Sequence, residues 1–275
     1  MPALLEVRNL TKTYHYRTNF FFKKRIVEAV KPLSFSLNAG ETISIIGGNS
    51  SGKSTIANMI AGVEIPTSGE ILVNGEKLHP YDYETRCKLI RIIFQNANAS
   101  LNPRLRIGSI LEGPLKRNTR MSPYAREVRI KSILKRVGLL EEHADFYPRM
   151  LAAGQRQRAC IARALILQPS IIVADEALRD LDLSMRSQII NLLLELQDEM
   201  ALAYIFVSQH LGLVKHISDQ LIVFQGGQVI EQGQATDIFA HPQQEFTKKL
   251  LDSHFIVPSR EKNNRRDMHT PHIDI

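Results

Sequence analysis

The segment that most constrains the fold is a glycine-rich stretch that fits the pattern G-x-x-x-x-G-K-[ST]. It runs Gly47, Gly48, Asn49, Ser50, Ser51, Gly52, Lys53, Ser54 and is followed by Thr55. A β-branched run precedes the stretch, and apolar residues at helical spacing follow it. In such a strand, turn and helix, backbone N–H groups at the helix start converge on phosphate oxygens. Lys53 would add a charge between the β- and γ-phosphates, and Ser54 would offer a hydroxyl to Mg²⁺. The stretch therefore predicts a nucleotide-binding loop.

A second element supplies carboxylates. Residues 171–174 are wholly apolar and lead into Asp175 and Glu176. Along a strand, successive side chains point in different directions, so the two carboxylates can act separately. We expect Asp175 to serve Mg²⁺ and Glu176 to polarise an attacking water. An ordinary acidic strand end would explain one carboxylate, but not this pair downstream of a phosphate loop.

The rest of the pattern predicts an α/β fold with a mostly parallel sheet. A β-branched run at 42–46 and apolar runs at 171–174 and 204–207 alternate with segments of helical periodicity, which is typical of parallel strands covered on both faces. The alternating stretch 4–10 and the turn Asn74-Gly75 after another strand indicate a second, antiparallel layer.

The predicted organisation is one domain over residues 1–250 and a tail. The antiparallel part covers about 1–35 and 63–85, and a helical lobe rich in Arg, Lys, Leu and Ile is inserted at about 98–160. The polar, aperiodic segment 251–275 is predicted to be disordered. Between the first two strands lies a basic, aromatic insert, for which a surface loop is favoured over a lipid or nucleic-acid contact.

Composition narrows the class of protein. The chain has 275 residues, 44 % of them hydrophobic, which excludes collagen and low-complexity scaffolds. Its net charge of +7 calls for an acidic partner such as a nucleotide, a nucleic acid or an anionic lipid surface. Two cysteines, Cys87 and Cys160, fit a reducing compartment. No signal peptide is visible, and no stretch approaches the roughly 18 apolar residues of a membrane span.

At these residues the chain resembles the ATP-binding subunits of ABC transporters, from about residue 5 to residue 251. Gln95 matches the Q-loop, which in that family touches Mg²⁺ and the coupling helix of the transmembrane subunit. The stretch Leu151, Ala152, Ala153, Gly154, Gln155 looks like the signature, which reaches the ATP of the opposite subunit. Tyr14 lies where the family stacks an aromatic ring on adenine, and Leu181-Asp182 resembles the end of the D-loop.

The resemblance implies a P-loop ATPase with an antiparallel β subdomain and an inserted helical subdomain. Two such subunits hold two ATP molecules head to tail, with Mg²⁺. The implied partners are a second, non-identical ATPase subunit, two transmembrane permeases and a periplasmic substrate-binding protein, with no nucleic acid. The implied location is the cytoplasmic face of the bacterial inner membrane, where the chain would be peripheral.

Within that family the chain is most similar to the peptide-uptake branch. The stretch 94–104 resembles the FQDPxxSLNPR segment of oligopeptide and dipeptide ATPases, and 215–219 and His241-Pro242 also recur there. The forms LAxGQ, ADEAL and Ser208-Gln209-His210 resemble Sap-type systems. This resemblance implies import of cationic, including antimicrobial, peptides, with polyamine transport as an alternative.

Four departures from the family pattern bear on mechanism. Ser50 replaces a glycine, and a positive φ there would cost about 1 kcal/mol. Ala152 replaces the serine that bonds the opposite γ-phosphate, a loss of about 0.5–1.5 kcal/mol. Arg179-Asp180 replaces a small pair. The switch histidine aligns with Gln209, which lacks a proton-accepting ring nitrogen, and His210 would take its role only if the backbone shifts register.

These departures predict a subunit that binds ATP, hydrolyses it slowly alone and works with a more typical ATPase. Two other functions compete with the transporter. A soluble ABC-type ATPase of repair or translation would normally show tandem units or a long coiled coil, and one phosphate loop in 275 residues indicates neither. A P-loop kinase should lack anything like residues 151–155.

Overall fold

A computed structural model of the chain describes residues 3–17 and 24–255, which form two β-sheets. The strands are β1 (Leu5–Arg17), β2 (Lys24–Leu37), β3 (Thr42–Gly47), β4 (Ser68–Val73), β5 (Glu76–Lys77), β6 (Ile90–Ile93), β7 (Ile171–Asp175), β8 (Ala203–Val207), β9 (Gln220–Gln225) and β10 (Gln228–Gln234). The helices are α1 (Lys53–Ala61), α2 (Tyr83–Leu89), α3 (Ala97–Ser100), α4 (Ile107–Asn118), α5 (Pro123–Arg136), α6 (Ala153–Leu165), α7 (Leu183–Met200), α8 (Leu211–Ile217), α9 (Ala235–Ala240) and α10 (Glu245–Phe255).

The larger sheet has six strands in the order β10-β9-β3-β8-β7-β6. All its neighbours pair in parallel except β10, which runs antiparallel to β9 at the edge. The strand before the phosphate loop, β3, lies inside this sheet and is buried along its whole length. The predicted parallel sheet is therefore confirmed, and the loop emerges from its most protected part.

Each face of this sheet packs against a different core. Ile43 and Ile45 of β3 lie in one core with Ile56 and Met59 of α1, together with residues of the antiparallel sheet. Ile46 lies in the other core, with helices α4 to α7. Because side chains alternate along a strand, one apolar run supplies both cores.

The smaller sheet has the order β2-β1-β4-β5, and its pairings are antiparallel. Its last hairpin turns at Asn74 and Gly75, whose φ angles are 52° and 78°. Val73 pairs with Glu76, so the loop contains only these two residues. Positive φ at both positions belongs to the turn type that Asn-Gly favours, which confirms the predicted hairpin.

The helical subdomain consists of α3, α4, α5 and the start of α6, with two short 3-10 helices between α5 and α6. Apolar residues of α4 and α5 are buried at helical spacing, among them Ile107, Leu111 and Ile133. Gly138, with φ 72°, follows the end of α5 and provides the left-handed residue that often ends a helix. These helices occupy residues 97–165, where the sequence predicts an insert at about 98–160, and α6 continues to Leu165.

The C-terminal part differs from the sequence-based boundary. Helix α10 continues through residues 251–255, and Leu251 is buried, so the ordered domain extends beyond residue 250. Strand β10 and helices α8 and α9 carry little periodicity that would have predicted them. The remaining predicted tail, and residues 18–23 of the basic insert, lie outside the described residues. Over the described part of the chain, no helix is both long and apolar enough to cross a membrane.

Arg86 holds the far end of α1, the helix that begins at the phosphate loop. The residue is 3 % exposed, and its guanidinium group donates from Nη1 to the carbonyl oxygens of Met59 and Ile60, both at 3.1 Å. The helix ends at Gly62, where any Cβ would collide with the Arg86 side chain. Arg86 therefore provides a donor for the Ile60 carbonyl at the helix end, and a second donor for the Met59 carbonyl, which also accepts from the N–H of Gly62 at 3.2 Å.

We expect Arg86→Met to lower the free energy of unfolding by about 2 kcal/mol, because it removes the side-chain donor of the Ile60 carbonyl and one of the two donors of the Met59 carbonyl. Urea denaturation of the full chain measures this loss. The control is Arg120→Met, an exposed arginine, for which the change should stay within about 0.5 kcal/mol. Equal stability of the two variants would contradict the role of Arg86.

Candidate functional site

The phosphate loop passes tightly beneath two backbone segments. Gly47 has φ 150° and Gly52 has φ 108°. A Cβ at Gly47 would collide with the carbonyl oxygen of Phe224 in β9, and one at Gly52 with the carbonyl oxygen of Ala29 in β2. Glycine is required at both positions, by conformation and by space.

Ser50 also has a positive φ, of 55°. The sequence predicts a conformational free-energy cost for serine here only if φ is positive, and the structure gives that positive φ. A serine in the left-handed region costs about 1 kcal/mol, which leaves the loop intact because β3 and α1 fix both of its ends.

Lys53 is folded back onto the loop that carries it. The residue is 5 % exposed, and Nζ donates to the carbonyl oxygens of Gly47 at 3.0 Å and Gly48 at 2.6 Å and to Oγ of Ser51 at 3.2 Å. Burial lowers the pKa of Lys53, while the nearby charges of Glu176 and Asp175 act in the opposite direction. The ammonium group therefore lies at the centre of the loop, where oxygen acceptors already surround it.

Ser54 and Asp175 meet across the end of the sheet. The Ser54 hydroxyl donates to Oδ1 of Asp175 at 2.9 Å. Burial raises the pKa of Asp175, against the opposing effect of this hydrogen bond. A hydroxyl and a carboxylate are hard oxygen ligands of the kind that Mg²⁺ prefers. The described residues form no cluster of three or more His, Cys, Asp or Glu side chains, so a cation held here would need oxygens from a bound phosphate as well.

Glu176 is the most unusual carboxylate in the site. It is 7 % exposed, has φ 48°, and neither carboxylate oxygen has a hydrogen-bond partner among the described residues. Its backbone N–H donates to the carbonyl oxygen of Val207 at 2.9 Å, which holds the strained residue at the end of β7. Buried unpaired carboxylates and strained backbones are both costly and occur mainly where they have a function.

Gln209 and Gln95 line the same cleft from other elements. Nε2 of Gln209 donates to Oδ1 of Asn49 in the phosphate loop at 2.7 Å. His210 is not among the lining residues and instead occupies the N-terminal end of α8. The structure therefore places Gln209 at the loop, without the register shift that would bring His210 there.

The cleft between these elements has a volume of about 670 Å³. The predicted residues that line it are Asn49, Ser50, Ser51, Gly52, Lys53, Ser54, Thr55, Gln95, Glu176 and Gln209. Sequence reasoning assigned no part in the cleft to its other lining residues, which are Val27, Glu28, Ala29, Arg179, Gly226 and Gly227. The glycine pair after the apolar run of β9 was the one available signal for the last two, and the N–H of Gly227 donates to the carbonyl oxygen of Ser51 at 3.0 Å.

Tyr14 does not line the cleft. It lies on β1 opposite Val27, which does, and the ammonium group of Lys12 lies 4.9 Å from the centre of its ring. Gly47, Gly48 and Asp175 also lie outside the lining, although the hydrogen bond to Ser54 joins Asp175 to it.

The segment 151–155 lies at the start of α6 and does not line this cleft. Ala152 occupies the N-cap position, where it cannot provide the side-chain acceptor that serine would. Its backbone N–H donates to Oε1 of Gln155 at 2.9 Å. The start of α6 thus lacks a side-chain acceptor at its N-cap, and Ala152 is the one exposed residue of the segment 151–155.

The cysteines form no disulfide. Cys87 is half-buried and Cys160 is buried, which raises the pKa of Cys160 to about 11. Both are ordinary thiols, as the sequence indicates, and take no part in the cleft.

The raised pKa of Asp175 links stability to pH. A carboxyl group that is harder to ionise in the folded state contributes stability below its unfolded pKa of about 4, and that contribution is lost as the pH rises through the folded value. An asparagine side chain at this position does not titrate and can still accept from Ser54. We expect Asp175→Asn to be more stable than the original chain at pH 7–8, with an advantage that shrinks as the pH falls.

Urea denaturation at a series of pH values measures this difference. Asp252→Asn is the control, because it removes the same charge from an exposed position of α10. Parallel stability curves for Asp175→Asn and the original chain would contradict the argument.

Comparison with known proteins identifies relatives of the whole domain. The family model described as ABC transporter matches residues 30–179. The chain is 54 % identical to the putrescine export system ATP-binding protein SapF of Escherichia coli K12 over 93 % of its own length and 95 % of the relative's. It is equally similar to the peptide transport system ATP-binding protein SapF of E. coli O6:H1. It is 42 % identical to the dipeptide transport ATP-binding protein DppF of Haemophilus influenzae, over 96 % of this chain and 81 % of that one.

The same comparison with solved structures supports the fold. The dimeric, post-hydrolysis ATP-binding cassette MJ0796 bound to ADP and Pi matches with a TM-score of 0.73 and 31 % identity, over 84 % of this chain and 98 % of that one. The described architecture therefore agrees with the one that the sequence resemblance implied. The chain belongs to the ABC transporter family and is an ATP-binding subunit that hydrolyses ATP.

Proposed function

We propose that this chain is the energy-coupling ATPase of a peptide transporter. The observation that carries the proposal is the convergence of Lys53, the Ser54–Asp175 pair and Glu176 on one cleft at the end of the parallel sheet. The N–H groups of the loop and Lys53 would bind the phosphates of ATP. Tyr14 remains our proposal for a stack on adenine, from the strand opposite Val27.

Mg²⁺ fits the oxygen ligands of Ser54 and Asp175, with Gln95 nearby in the cleft, and would neutralise charge on the phosphates. Glu176 would orient the attacking water and accept its proton on a carboxylate oxygen. Because both oxygens of Glu176 lack other partners, the carboxylate is available for that proton.

Two departures from the family pattern, Gln209 and Ala152, predict that the chain hydrolyses ATP slowly by itself. The Gln209 amide can donate to a terminal phosphate, as it now donates to Asn49, but it cannot accept a proton on a ring nitrogen. Ala152 removes a hydroxyl from the segment 151–155, which by resemblance contacts the ATP of the opposite subunit. A second, non-identical ATPase with an ordinary switch and signature would compensate for both.

We expect Gln209→His to accelerate ATP turnover of the purified chain at least about tenfold, because it restores a proton-accepting group beside the loop. Steady-state phosphate release measures turnover. Gln244→His, at an exposed position between β10 and α10, is the control and should have no effect. An original chain that already hydrolyses ATP as fast as typical homodimeric transporter ATPases would refute the proposal of a weak site.

A basic groove supports contact with membrane-spanning permeases. The groove has a volume of about 640 Å³ and lies between α2, β6 and α4. Three arginines, Arg91, Arg117 and Arg163, and one carboxylate, Glu84, line it, so its charge is positive on balance. Phe94, 38 % exposed, lines an adjoining groove, and the next residue, Gln95, lines the nucleotide cleft. A permease helix bound there would touch the backbone next to the ATP site. We propose two permeases, a periplasmic binding protein and a peripheral location on the cytoplasmic face of the inner membrane.

Charge reversal in the groove tests this contact. We expect Arg117→Glu to reduce the membrane-bound fraction of the chain about tenfold when it is expressed with its permeases, since like charges across an interface are strongly unfavourable. Arg120→Glu, three residues away and outside the groove, should leave that fraction unchanged. ATP binding should be the same in both variants, and equal membrane association would refute the groove as the contact.

Peptides are the proposed cargo because relatives named for peptide and dipeptide transport match nearly the whole chain. Putrescine is the second candidate, since one relative that is 54 % identical carries the name of a putrescine export system. Host cells lacking this chain, complemented with the original or with Glu176→Gln, separate the two. For peptide transport, only the original should restore resistance to cationic antimicrobial peptides. Restored putrescine release without that resistance would favour the second candidate.

A further inference from the structure

An arginine lines the nucleotide cleft at a position where the family has a small residue. Arg179 is exposed to the cleft, and its guanidinium group has no ion pair or side-chain hydrogen bond with the rest of the described chain. Lys53, the other lining cation, is held by three acceptors of its own loop. Of the charged residues described along this cleft, Arg179 is therefore the cation free to meet a ligand.

The backbone places Arg179 next to Glu176. Its N–H donates to the carbonyl oxygen of Glu176 at 3.0 Å, which closes a tight turn after β7. If Glu176 is to act on a water that attacks the terminal phosphate, that phosphate must lie at the same end of the cleft. Arg179 is thus within the part of the site where the outermost phosphate of ATP belongs and where ADP has none.

Charge at this end of the cleft favours a cation. Glu176 is a lining carboxylate there, Asp175 lies beside it, and Gln209 is neutral. A guanidinium group offers several donors in a fixed plane and matches phosphate oxygens better than an amide does. An arginine that binds the terminal phosphate would therefore supply attraction that Gln209 cannot.

We propose that Arg179 is a nucleotide-binding residue that contacts the terminal phosphate of ATP from the Glu176 side of the cleft and makes the chain prefer ATP over ADP. The inference rests on the nucleotide site proposed above and extends it to a residue that neither the motifs nor the family pattern assigns.

Calorimetric titration of the purified full chain with ATP and with ADP tests the proposal, at concentrations where sedimentation shows a monomer. We expect Arg179→Ala to raise the dissociation constant for ATP about tenfold, the size of effect for a charged hydrogen bond, and that for ADP less than about twofold. For Arg179→Lys, we expect a dissociation constant for ATP between those of the original chain and of Arg179→Ala. Arg120→Ala removes an exposed arginine outside the cleft and should change neither constant.

The outcomes separate this inference from the proposed function. Equal changes for ATP and ADP, or none, in a variant with an unchanged urea midpoint would refute the role of Arg179 and would assign it to contacts with another subunit. Failure of the original chain to bind ATP would instead refute the nucleotide site itself. If Arg179→Ala does not fold, Arg179→Gln provides the same comparison with a neutral side chain of similar length.

Discussion

The structure depends on a buried positive charge at the end of a buried strand. Lys53 can stay charged there because Gly47, Gly48 and Ser51 surround it with oxygen atoms and because Asp175 and Glu176 lie close by. The loop can adopt this shape because Gly47 and Gly52 have no Cβ, which lets it pass close to the backbones of β9 and β2. Both sheets therefore shape the loop that surrounds the Lys53 ammonium group. The oxygens of a bound triphosphate would replace the loop oxygens that accept from this group.

The carboxylates of the site work against stability. Burial raises the pKa of Asp175, and Glu176 is buried without hydrogen-bond partners on a strained backbone. A chain selected for stability alone would have neutral residues at these positions. The large sheet tolerates these carboxylates because β7 is well held. It pairs with β6 on one side and β8 on the other, and an apolar core packs against each face of the sheet. The apolar cores thus stabilise a fold that keeps Asp175 and Glu176 at the nucleotide cleft in spite of their cost.

Three of the four departures from the family pattern include a residue that lines the nucleotide cleft, namely Ser50, Arg179 and Gln209. Gln209 bonds to the loop in place of a histidine, and Arg179 brings an extra cation to the same region. Ala152 belongs to a different surface, at the start of α6, where it leaves the N-cap without a side-chain acceptor. These departures are the basis of the proposal that a second ATPase subunit sets the rate of hydrolysis.

Local spacing was enough to predict the strand, loop and helix around Lys53, the carboxylate pair after β7 and the Asn74-Gly75 hairpin, because each depends on residues close together in the chain. The family and the ATPase activity were predicted from the resemblance that these motifs carry together with Gln95 and residues 151–155. Tertiary structure alone decided that Gly227 supports Ser51, that Arg179 enters the cleft and that Tyr14 lies outside its lining, whereas the position of Gln209 at the loop agrees with the sequence alignment. It also decided that the ordered domain continues through α10. These outcomes depend on contacts between segments that are distant in the sequence. Strand order and packing determine which segments are neighbours, and the periodicity of the sequence does not encode that order.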